Sequence, residues 1–544
     1  MQESEDEVPV DPQAELVHAW PARLPQRWLV AHLVSILVVA AVMIVAARGQ
    51  YFYYDEWDFL AQRAEWDILA PHVGHLSFFP QLLTTLTKGV FGLHSYWPFL
   101  LPTIAVHLII VHLLWRVMMR AGAQPLLALL GAALFGVLAP SADNVMWAFQ
   151  IGFITPFALG LGAALLAMRP TLPRSNLIWV TVLLCLGLGF SGTALSMAGA
   201  VIVLVFMRHG WRAALAPLVA VMIVYGTWYV IFNTGPSDWG ALRADTPWEI
   251  FIGVPQYVAH GFMDSVAQFL PIDVLSAPLL VLLAWWTLVD LRRTGARGAG
   301  IAHYLVLALF AFAVLTAISR VGLGNESASA GRYTYVYGLL LAVSAVLALT
   351  TVARGSRTVI GAVSVLLVVL IGYNAAGFGV IAQQQAVVER TVPRAISAAL
   401  TVADCSDESV AERTPAAVVA PTLTMTDVCG FIARGQFEPV EFTPDDLLDA
   451  RINLFLRAVP VEAEVPAAID CAQPDAGGVV PYNPETQVVS LPDRRFVRVH
   501  ADENGAFTQY ASVEIPAGVS RLVGIDEDLG LRLENMDGLC VFEP

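Results

Sequence analysis

Charged residues are scarce in this chain, and lysine is almost missing from it. Only 14% of its 544 residues are charged, and Lys88 is the single lysine. Hydrophobic residues make up 57%, which is more apolar surface than a soluble domain of this size needs. The composition therefore excludes a soluble globular protein, and the formal net charge of -15 disfavours nucleic acid as a partner.

Several motifs that define large functional classes are also missing. The chain has no P-loop, no Gly-x-Gly-x-x-Gly opening a helix after a strand, and no His-Glu-x-x-His. Its five cysteines include no Cys-x-x-Cys spacing, so a zinc cluster is not supported. No small-residue cleavage site follows the first apolar stretch, which is therefore not predicted to be a removable signal peptide.

Long apolar stretches dominate the first 381 residues. Their number, about eleven, predicts a polytopic α-helical membrane protein. Several are shorter than the ~20 residues of a straight span, so either their ends extend into the loops or one pair forms a broken, re-entrant element. The stretches are 28–48, 97–117, 124–140, 151–168, 177–190, 195–207, 212–233, 275–291, 301–319, 334–353 and 358–381.

Arginine predicts the orientation of these spans, because basic residues near spans concentrate on the cytoplasmic side. The rule places the N-terminus inside the cytoplasmic membrane and everything after 381 outside. Residues 1–27 are then predicted to be a disordered cytoplasmic tail, and 28–381 a multi-pass catalytic domain with an external loop at 49–96. The arginines occur in alternate connections: Arg23 and Arg27, Arg116 and Arg120, Arg169 and Arg174, Arg208 and Arg212, Arg292, Arg293 and Arg297, and Arg354 and Arg357.

Residues 382–544 differ sharply from the rest and are predicted to form an extracytoplasmic mixed α/β domain. From residue 383 onwards the chain has 26 acidic residues against 11 arginines. Helices are predicted at 383–400 and 444–458. From about 478, short alternating runs separated by turn residues predict a β-sandwich-like module. The runs are 486–491, 495–500, 507–515, 520–525, 531–534 and 539–542.

Four of the five cysteines lie in this external region, where disulfides form. Proximity in sequence suggests the pairs Cys405–Cys429 and Cys471–Cys540, although four cysteines permit three connectivities. Cys185 lies within a span and is predicted to be a packed core thiol.

Asp55 and Glu56 follow directly after the first span, in Tyr53-Tyr54-Asp55-Glu56-Trp57. A carboxylate at a membrane boundary is costly unless it has a function, and an apolar surface raises its pKa towards that of a general base. The alternative is structural, with Asp55 as the N-cap of a helix over 56–66. A second interfacial helix is predicted over 76–92.

Histidine and arginine supply further candidates in the external loops. His72 and His75 lie close to the carboxylates in sequence; they could bind a divalent metal, but no third ligand stands at a fixed spacing. Arg320 and Arg332 bracket the external loop 321–331, where the charge rule disfavours basic residues, and Tyr333 follows Arg332. A guanidinium at this boundary suits phosphate binding, whereas snorkelling or pairing with Glu326 is the alternative.

A third group, Asn144, Trp147 and Gln150, lies between the third and fourth stretches on the predicted external side. Amides and an indole face suit the hydroxyls and apolar faces of a sugar. Tryptophan is also ordinary in the interfacial belt of membrane proteins.

An acidic pair just after the first span, followed by interfacial helices, resembles the GT-C glycosyltransferases over roughly residues 28–335. The resemblance implies transfer of a sugar from a polyprenyl-phosphate carrier to an acceptor outside the cytoplasmic membrane, with no cofactor beyond a possible divalent metal. It implies that Asp55 is the general base, that Glu56 positions Asp55 or the acceptor, and that His72 or His75 faces the donor phosphate. Arg332-Tyr333 at the head of a late span resembles the carrier-phosphate site.

These features together predict an inverting, GT-C-like enzyme of actinobacterial cell-envelope type, acting on a glycan or glycolipid acceptor. The C-terminal module would bind that glycan, as the carbohydrate-binding-like domains of similar envelope enzymes do. A lipid-linked sugar transporter or flippase is the alternative, and it predicts charged residues deep within several spans. A membrane anchor for the external domain is a third hypothesis.

Overall fold

The computed structural model describes residues 26–62, 67–233, 244, 246–353, 356–465, 471–525 and 529–544. The tail predicted at 1–27 lies almost entirely outside these residues. The described chain divides into two compact units. The membrane unit comprises Met1–Ala47, Ile68–Pro80 and Leu100–Ala382, and the C-terminal unit comprises Arg48–Asp67, Gln81–Phe99 and Gln383–Pro544.

Helices make up most of the chain before residue 402. They are α1 Gln26–Ala46, α2 Phe78–Phe91, α3 Trp97–Arg120, α4 Pro125–Gly136, α5 Ala142–Val145, α6 Ile151–Ala167, α7 Arg174–Leu188, α8 Ala194–His209, α9 Trp211–Phe232, α10 Val254–Ala267, α11 Ser276–Gly298, α12 Ile301–Arg320, α13 Gly331–Val352, α14 Arg357–Glu389 and α15 Thr391–Val402. The described part of the helix predicted over 56–66 is helical from Glu56 and includes a π-helical turn at Asp58–Gln62. The helix predicted over 383–400 is split, because α14 continues to Glu389 before α15 begins.

Eight helices within the described residues are long and apolar enough to cross a membrane, or nine if a bent pair counts as one span. That pair joins Pro125–Gly136 to Ala139–Val145 with a bend of 49°. These nine elements correspond to nine of the eleven apolar stretches, and the bent pair is a broken element of the kind predicted as one alternative. Two shorter apolar helices, α7 and α8, account for the remaining stretches. Their 15 and 16 residues are fewer than the ~20 that a straight span requires.

The break between α4 and α5 has a physical cause. Pro140 has no N–H to donate to a continuing helix. Side chains from two other helices satisfy the backbone groups that the break releases. His107 Nε2 donates to the Gly136 carbonyl at 3.2 Å, and Asn374 Oδ1 accepts from the Ala139 N–H at 3.1 Å. The segment that follows is therefore held by buried hydrogen bonds.

The C-terminal unit contains two further helices, α16 Met425–Ala433 and α17 Pro444–Phe455. Each begins with a capping box: Thr424 with Asp427, and Thr443 with Asp446. The strands are β1 Arg457–Pro460, β2 Val479–Tyr482, β3 Val488–Leu491, β4 Arg495–Glu503, β5 Ala506–Phe507, β6 Ser512–Ile515, β7 Gly518–Val523, β8 Gly530–Glu534 and β9 Cys540–Phe542.

These strands form two antiparallel sheets. One has the order β1-β7-β3-β9, and the other has the order β2-β8-β4-β5, with β6 also paired to β4. Alternate residues of both sheets enclose a common core, as in a sandwich. Its members include Val489, Leu522 and Val541 from the first sheet and Val499, Leu531 and Leu533 from the second. The predicted fold class, a polytopic helical membrane protein with a mixed α/β, sandwich-like C-terminal domain, is confirmed.

Both predicted disulfides are present in this unit. Cys405 is bonded to Cys429 and Cys471 to Cys540, with Cα–Cα distances of 5.7 and 5.1 Å. Cys185 remains a free thiol on α7. The first bridge joins the middle of α16 to the loop after α15, and the second joins the segment after β1 to β9.

Candidate functional site

The carboxylates of Asp55 and Glu56 have different surroundings in the C-terminal unit. Glu56 is 5% exposed, and both of its oxygens are occupied. Its Oε2 accepts from the Tyr53 N–H and its Oε1 from the Tyr96 hydroxyl, each at 2.8 Å. Asp55 is only half-buried. Glu56 is therefore a structural anchor for this turn, and Asp55 is the carboxylate that a substrate could reach.

The backbone just before Asp55 is strained. Tyr54 has a φ of +48°, a left-handed conformation that is uncommon for a residue other than glycine. Its N–H donates to the Val419 carbonyl at 3.0 Å, and the Trp57 N–H closes the turn on the Tyr54 carbonyl at 3.1 Å. Strain of this kind persists only where the surroundings fix it, and it concentrates at functional sites.

Aromatic packing makes the turn rigid. Phe52 lies 5.7 Å from Trp57, 5.0 Å from Tyr96 and 4.8 Å from Phe99, measured between ring centroids. All four rings are buried, and such edge-to-face pairs add about 0.5–1.5 kcal/mol each beyond area burial. The single lysine, Lys88, donates to the Leu60 carbonyl at 3.0 Å and supports the π-helical turn that follows. Asp55 is thus presented from a fixed loop.

In the membrane unit, His72 and His75 form a two-residue hairpin. Each backbone N–H donates to the carbonyl of the other, at 3.0 and 2.9 Å. The central residues Val73 and Gly74 have φ values of +51° and +76°, as a type I′ turn requires. A positive φ is strained for the β-branched Val73, which marks this turn as a second place where the fold enforces an unusual backbone.

The two histidine rings contact other loops of the membrane unit. His72 lies 5.2 Å from Phe149, edge to face, and Phe149 stacks on Trp147 at 5.3 Å. A Cβ on Gly192 would lie 2.7 Å from His75 Nδ1, so glycine at 192 permits this close approach. The structure therefore brings together the hairpin, the 147–150 segment and the turn at 189–193, loops that the charge pattern places on one side.

Arg320, at the end of α12, and Arg332, in the first turn of α13, both affect Tyr257, a residue of α10 that has no distinguishing pattern in the sequence. Both guanidinium groups interact electrostatically with the Tyr257 hydroxyl, which lies 3.0 Å from Ser327 Oγ. Burial raises the pKa of Tyr257 to about 12, an effect that the Ser327 hydrogen bond and the two arginines partly offset. The phenol is therefore a neutral hydrogen-bond donor beside two cations, a combination that suits a phosphate.

The Arg332 guanidinium also lies 5.1 Å from the Tyr333 ring and interacts electrostatically with Asp143. Asp143 approaches the first turn of α13 so closely that a Cβ on Gly331 would overlap its Oδ2. A carboxylate at this position is favoured by the partial positive charge of the helix N-terminus. Asp143 therefore places a carboxyl group beside the start of α13, where it interacts electrostatically with Arg332.

The three residues predicted to bind sugar are buried. Asn144, Gln150 and Trp147 are 0%, 3% and 8% exposed. Neither Nδ2 nor Oδ1 of Asn144 makes a hydrogen bond within the described part of the chain. Buried amides without partners are rare, so Asn144 keeps its interest as a group that a polar ligand could satisfy. Sugar binding by the three stays a prediction.

Within the described ranges, no group of three or more His, Cys, Asp or Glu side chains could hold a metal ion. His72 and His75 therefore do not acquire a third ligand there. Asp55 and Glu56 belong to the C-terminal unit, whereas the histidines, Arg320, Arg332 and Tyr333 belong to the membrane unit. The candidate residues are therefore described in two groups, one within each unit.

Comparisons with known proteins gave one solved structure. No family model and no curated protein sequence matches the chain. The chain is similar to the crystal structure of ArnT from Cupriavidus metallidurans bound to undecaprenyl phosphate, at 13% identity and a TM-score of 0.45. The similarity covers 78% of this chain and 88% of ArnT. At these values it does not establish a shared function.

Proposed function

We propose that this protein is a GT-C-like glycosyltransferase. In this proposal it moves a sugar from a polyprenyl-phosphate carrier to a glycan or glycolipid acceptor of the cell envelope, outside the cytoplasmic membrane. The observation that carries the proposal is that Arg320 and Arg332 flank the loop 321–331 and both interact electrostatically with Tyr257, whose hydroxyl lies 3.0 Å from Ser327 Oγ in that loop. Two guanidinium groups and a phenol at the end of apolar helices suit a phosphate whose lipid tail stays in the bilayer.

The proposed reaction is a single displacement that inverts the anomeric carbon. The acceptor oxygen forms the new bond to that carbon while the bond between the carbon and the carrier phosphate breaks. The acceptor proton passes to the Asp55 carboxylate, and the electron pair of the broken bond goes to the phosphate oxygen. Arg332 and Arg320 stabilise the charge that develops there. No oxidant, reductant or metal is needed for this balance.

Glu56 has a positioning role in this proposal. Its two hydrogen bonds, to the Tyr53 N–H and the Tyr96 hydroxyl, hold the strained turn at Tyr54 that presents Asp55. His72 and His75, fixed by their hairpin, are proposed as further contacts to the donor phosphate. The stacked rings of Trp147 and Phe149 offer an apolar surface beside them.

The phosphate site can be tested by measuring the affinity for the carrier alone, because this measurement does not require the transferred sugar to be identified. The probe is decaprenyl phosphate, added to the purified protein in nanodiscs. A charge-assisted contact to phosphate is worth roughly 1.5–3 kcal/mol, so Arg332→Ala is expected to weaken binding about ten- to hundredfold. Arg332→Lys should recover only part of the affinity, because an ammonium lacks the bidentate fork.

The matched control is Arg174→Ala, since Arg174 is exposed at the start of α7. It should bind decaprenyl phosphate as the unaltered protein does. If Arg332→Ala kept full affinity and lost only thermal stability, Arg332 would be a structural residue, and the proposed phosphate site would be wrong.

A further inference from the structure

A histidine and two arginines lie in a row on α3. His112, Arg116 and Arg120 are spaced four residues apart, which places their side chains one above another on the same face of the helix. At 1.5 Å per residue the row is about 12 Å long, from the last residue of α3 back into its apolar part. All three side chains are partly buried. The arginine pattern predicts that this end of α3 is cytoplasmic, whereas Arg332 lies at the predicted outer end of α13.

Stacked rings from α1 and α3 lie behind this row. The His32 ring of α1 stacks on Trp115 and on His112, with 4.3 and 5.4 Å between ring centroids. His32 and Trp115 are both 0% exposed. Within the described residues, no hydrogen-bond partner exists for either ring nitrogen of His32, for His112 Nδ1, for Trp115 Nε1 or for Arg116 Nε.

So many buried nitrogens without partners in one place are rare. The Trp115 and Arg116 nitrogens can only donate, and each neutral imidazole also has one N–H to donate. The missing partner is therefore rich in acceptor oxygens.

Positive charge accumulates where the row reaches the membrane boundary. Arg120 interacts electrostatically with Arg116 and with Arg169, the residue directly after the C-cap of α6. Like charges at this spacing repel one another. In the described part of the membrane unit, Asp290 is the only carboxylate near the predicted cytoplasmic helix ends, and it lies 3.6 Å from His303 Nε2. An anion from outside the chain would relieve this repulsion.

Helix capping does not account for Arg169. A cation at the end of a helix often donates to the last carbonyl groups. In α6 that role belongs to other residues: Arg208 donates to the Met168 carbonyl at 3.2 Å, and His209 Nε2 donates to the Ala167 carbonyl at 2.8 Å. Arg169 itself is exposed, so its guanidinium is accessible at the boundary.

We propose that these residues bind the headgroup of an anionic diacyl phospholipid from the cytoplasmic leaflet. Guanidinium groups at the boundary suit the lipid phosphate, and the nitrogens deeper in the row suit its ester carbonyls. Leu33 and Leu37 of α1 are 46% and 69% exposed and offer apolar surface for the acyl chains, which favours a lipid over a free phosphate ion. We call the set the basic cluster, and its members are His32, His112, Trp115, Arg116, Arg120 and Arg169.

The basic cluster is distinct from the proposed carrier-phosphate site around Arg332. Binding of a phospholipid there requires no sugar donor and no turnover. The lipid site can therefore fail its test while the proposed transferase activity stands, and the reverse is also true.

The test uses the full-length protein in detergent and dioleoyl phosphatidylglycerol as the probe. Dioleoyl phosphatidylcholine, which has no net charge, is the reference lipid. Native mass spectrometry measures the bound lipid, and the rise in melting temperature with lipid concentration gives the affinity. Phosphatidylglycerol is expected to bind more tightly. Each arginine beside an anionic lipid contributes about a fivefold change in affinity, so Arg116→Gln combined with Arg120→Gln should weaken its binding roughly 30-fold.

The matched control is Arg212→Gln, because Arg212 is exposed at the start of α9 on the same predicted side. It should bind phosphatidylglycerol as the unaltered protein does. Arg169→Gln alters an exposed position and should weaken binding about fivefold, which keeps the test decisive should the double variant misfold.

The proposal is overturned if both lipids bind equally well, or if the folded Arg116/Arg120 and Arg169 variants keep full affinity for phosphatidylglycerol. It is also overturned if inorganic phosphate at the same concentration displaces the lipid, because the site would then take a free ion.

Discussion

Asp55 and Glu56 are adjacent in sequence, but we expect them to have different roles because their side chains have different neighbours. Glu56 accepts two hydrogen bonds in a buried aromatic setting, so its removal would release the turn. Asp55 is half-buried on a turn strained at Tyr54. Substitutions at the two positions are therefore expected to differ: loss of folding at Glu56, and loss of chemistry alone at Asp55.

Asp55→Asn should abolish glycosyl transfer while leaving expression and thermal stability intact. The change keeps the shape of the side chain and removes only its capacity to take the acceptor proton. Transfer would be measured with purified protein and a panel of polyprenyl-phosphate sugars. Asp67→Asn is the control, because Asp67 is exposed in the same unit. Substantial turnover by the Asp55 variant would rule this residue out as the base.

Asp449 of α17 gives the C-terminal unit a pH-dependent stability. Burial raises the pKa of this carboxyl to about 7; the N–H donors of Gln509 and Tyr510 oppose that shift, and Asp446 and Asp445 add to it. Between its unperturbed pKa of 3.8 and about 7, the folded state holds a proton that the unfolded state has lost. The free energy of unfolding therefore falls as pH rises through this window, by about 1.4 kcal/mol for each unit of pKa difference.

Asp449→Asn should remove most of this pH dependence. Hydrogen-exchange protection factors for peptides covering β4 and β8, corrected for intrinsic exchange, would be compared at pH 5 and pH 7.5. Protection in the unaltered protein should fall on going to pH 7.5, whereas the variant should change little. Asp537→Asn, at an exposed turn position, should behave like the unaltered protein. Equal pH profiles for all three proteins would refute the assignment.

Sequence position alone singles out some residues as candidates. Asp55 and Arg332 stand out because charge at a membrane boundary is unusual. Tyr257 and Asp143 could not be linked to Arg332 in this way, because their proximity depends on the packing of α5, α10 and α13. The sequence likewise does not reveal the burial of Asn144, Trp147 and Gln150. A polar cluster has the same composition whether its side chains face solvent or pack against a helix.

At the scale of elements, the sequence locates the strands and the apolar stretches, but it does not show which stretches have the length of a full span. Alternation and turn residues locate β3, β4, β7 and β8, because a half-buried strand has a period of two. Hydropathy counts apolar stretches but does not distinguish a full span from a short helix such as α7 or α8. The break after α4 also depends on His107 and Asn374, which are distant in sequence. No local pattern contains that information.

The start of α13 requires glycine, and Gly331→Ala tests how tightly it is packed. The new Cβ would overlap Asp143 and lie 2.9 Å from the Pro140 carbonyl oxygen. Overpacking of this kind costs roughly 1–3 kcal/mol, so the melting temperature in detergent should fall. Gly199→Ala is the matched helical control, because its Cβ meets nothing within 4 Å. Equal melting temperatures for the two variants would show that Asp143 moves aside without cost.

At the scale of the whole molecule, the oxidation state of the cysteines indicates the compartment in which the C-terminal unit lies. Peptide mapping without reduction should show Cys405 linked to Cys429 and Cys471 linked to Cys540, with Cys185 alkylated as a free thiol. Disulfides of this kind persist in oxidising compartments, so finding both in the mature protein would support the predicted placement outside the cytoplasm. A reduced sample provides the control for alkylation. Four free thiols in the mature protein would contradict both the bridges and that placement.

In the four-stranded sheet, β1 and β9 form opposite edges, and β7 and β3 lie between them. Arg457 pairs with Val523, and Val488 pairs with Phe542, so neighbours in this sheet are distant along the chain. The order of synthesis therefore differs from the order of pairing. Contacts between residues this far apart in sequence form slowly. The chain must first lose the conformational entropy of closing the long loop between them, and the stabilisation from the contacts follows only afterwards. During synthesis, β1 and β3 therefore remain without their partners until β7 and β9 have been made, so the last part of the chain completes this sheet.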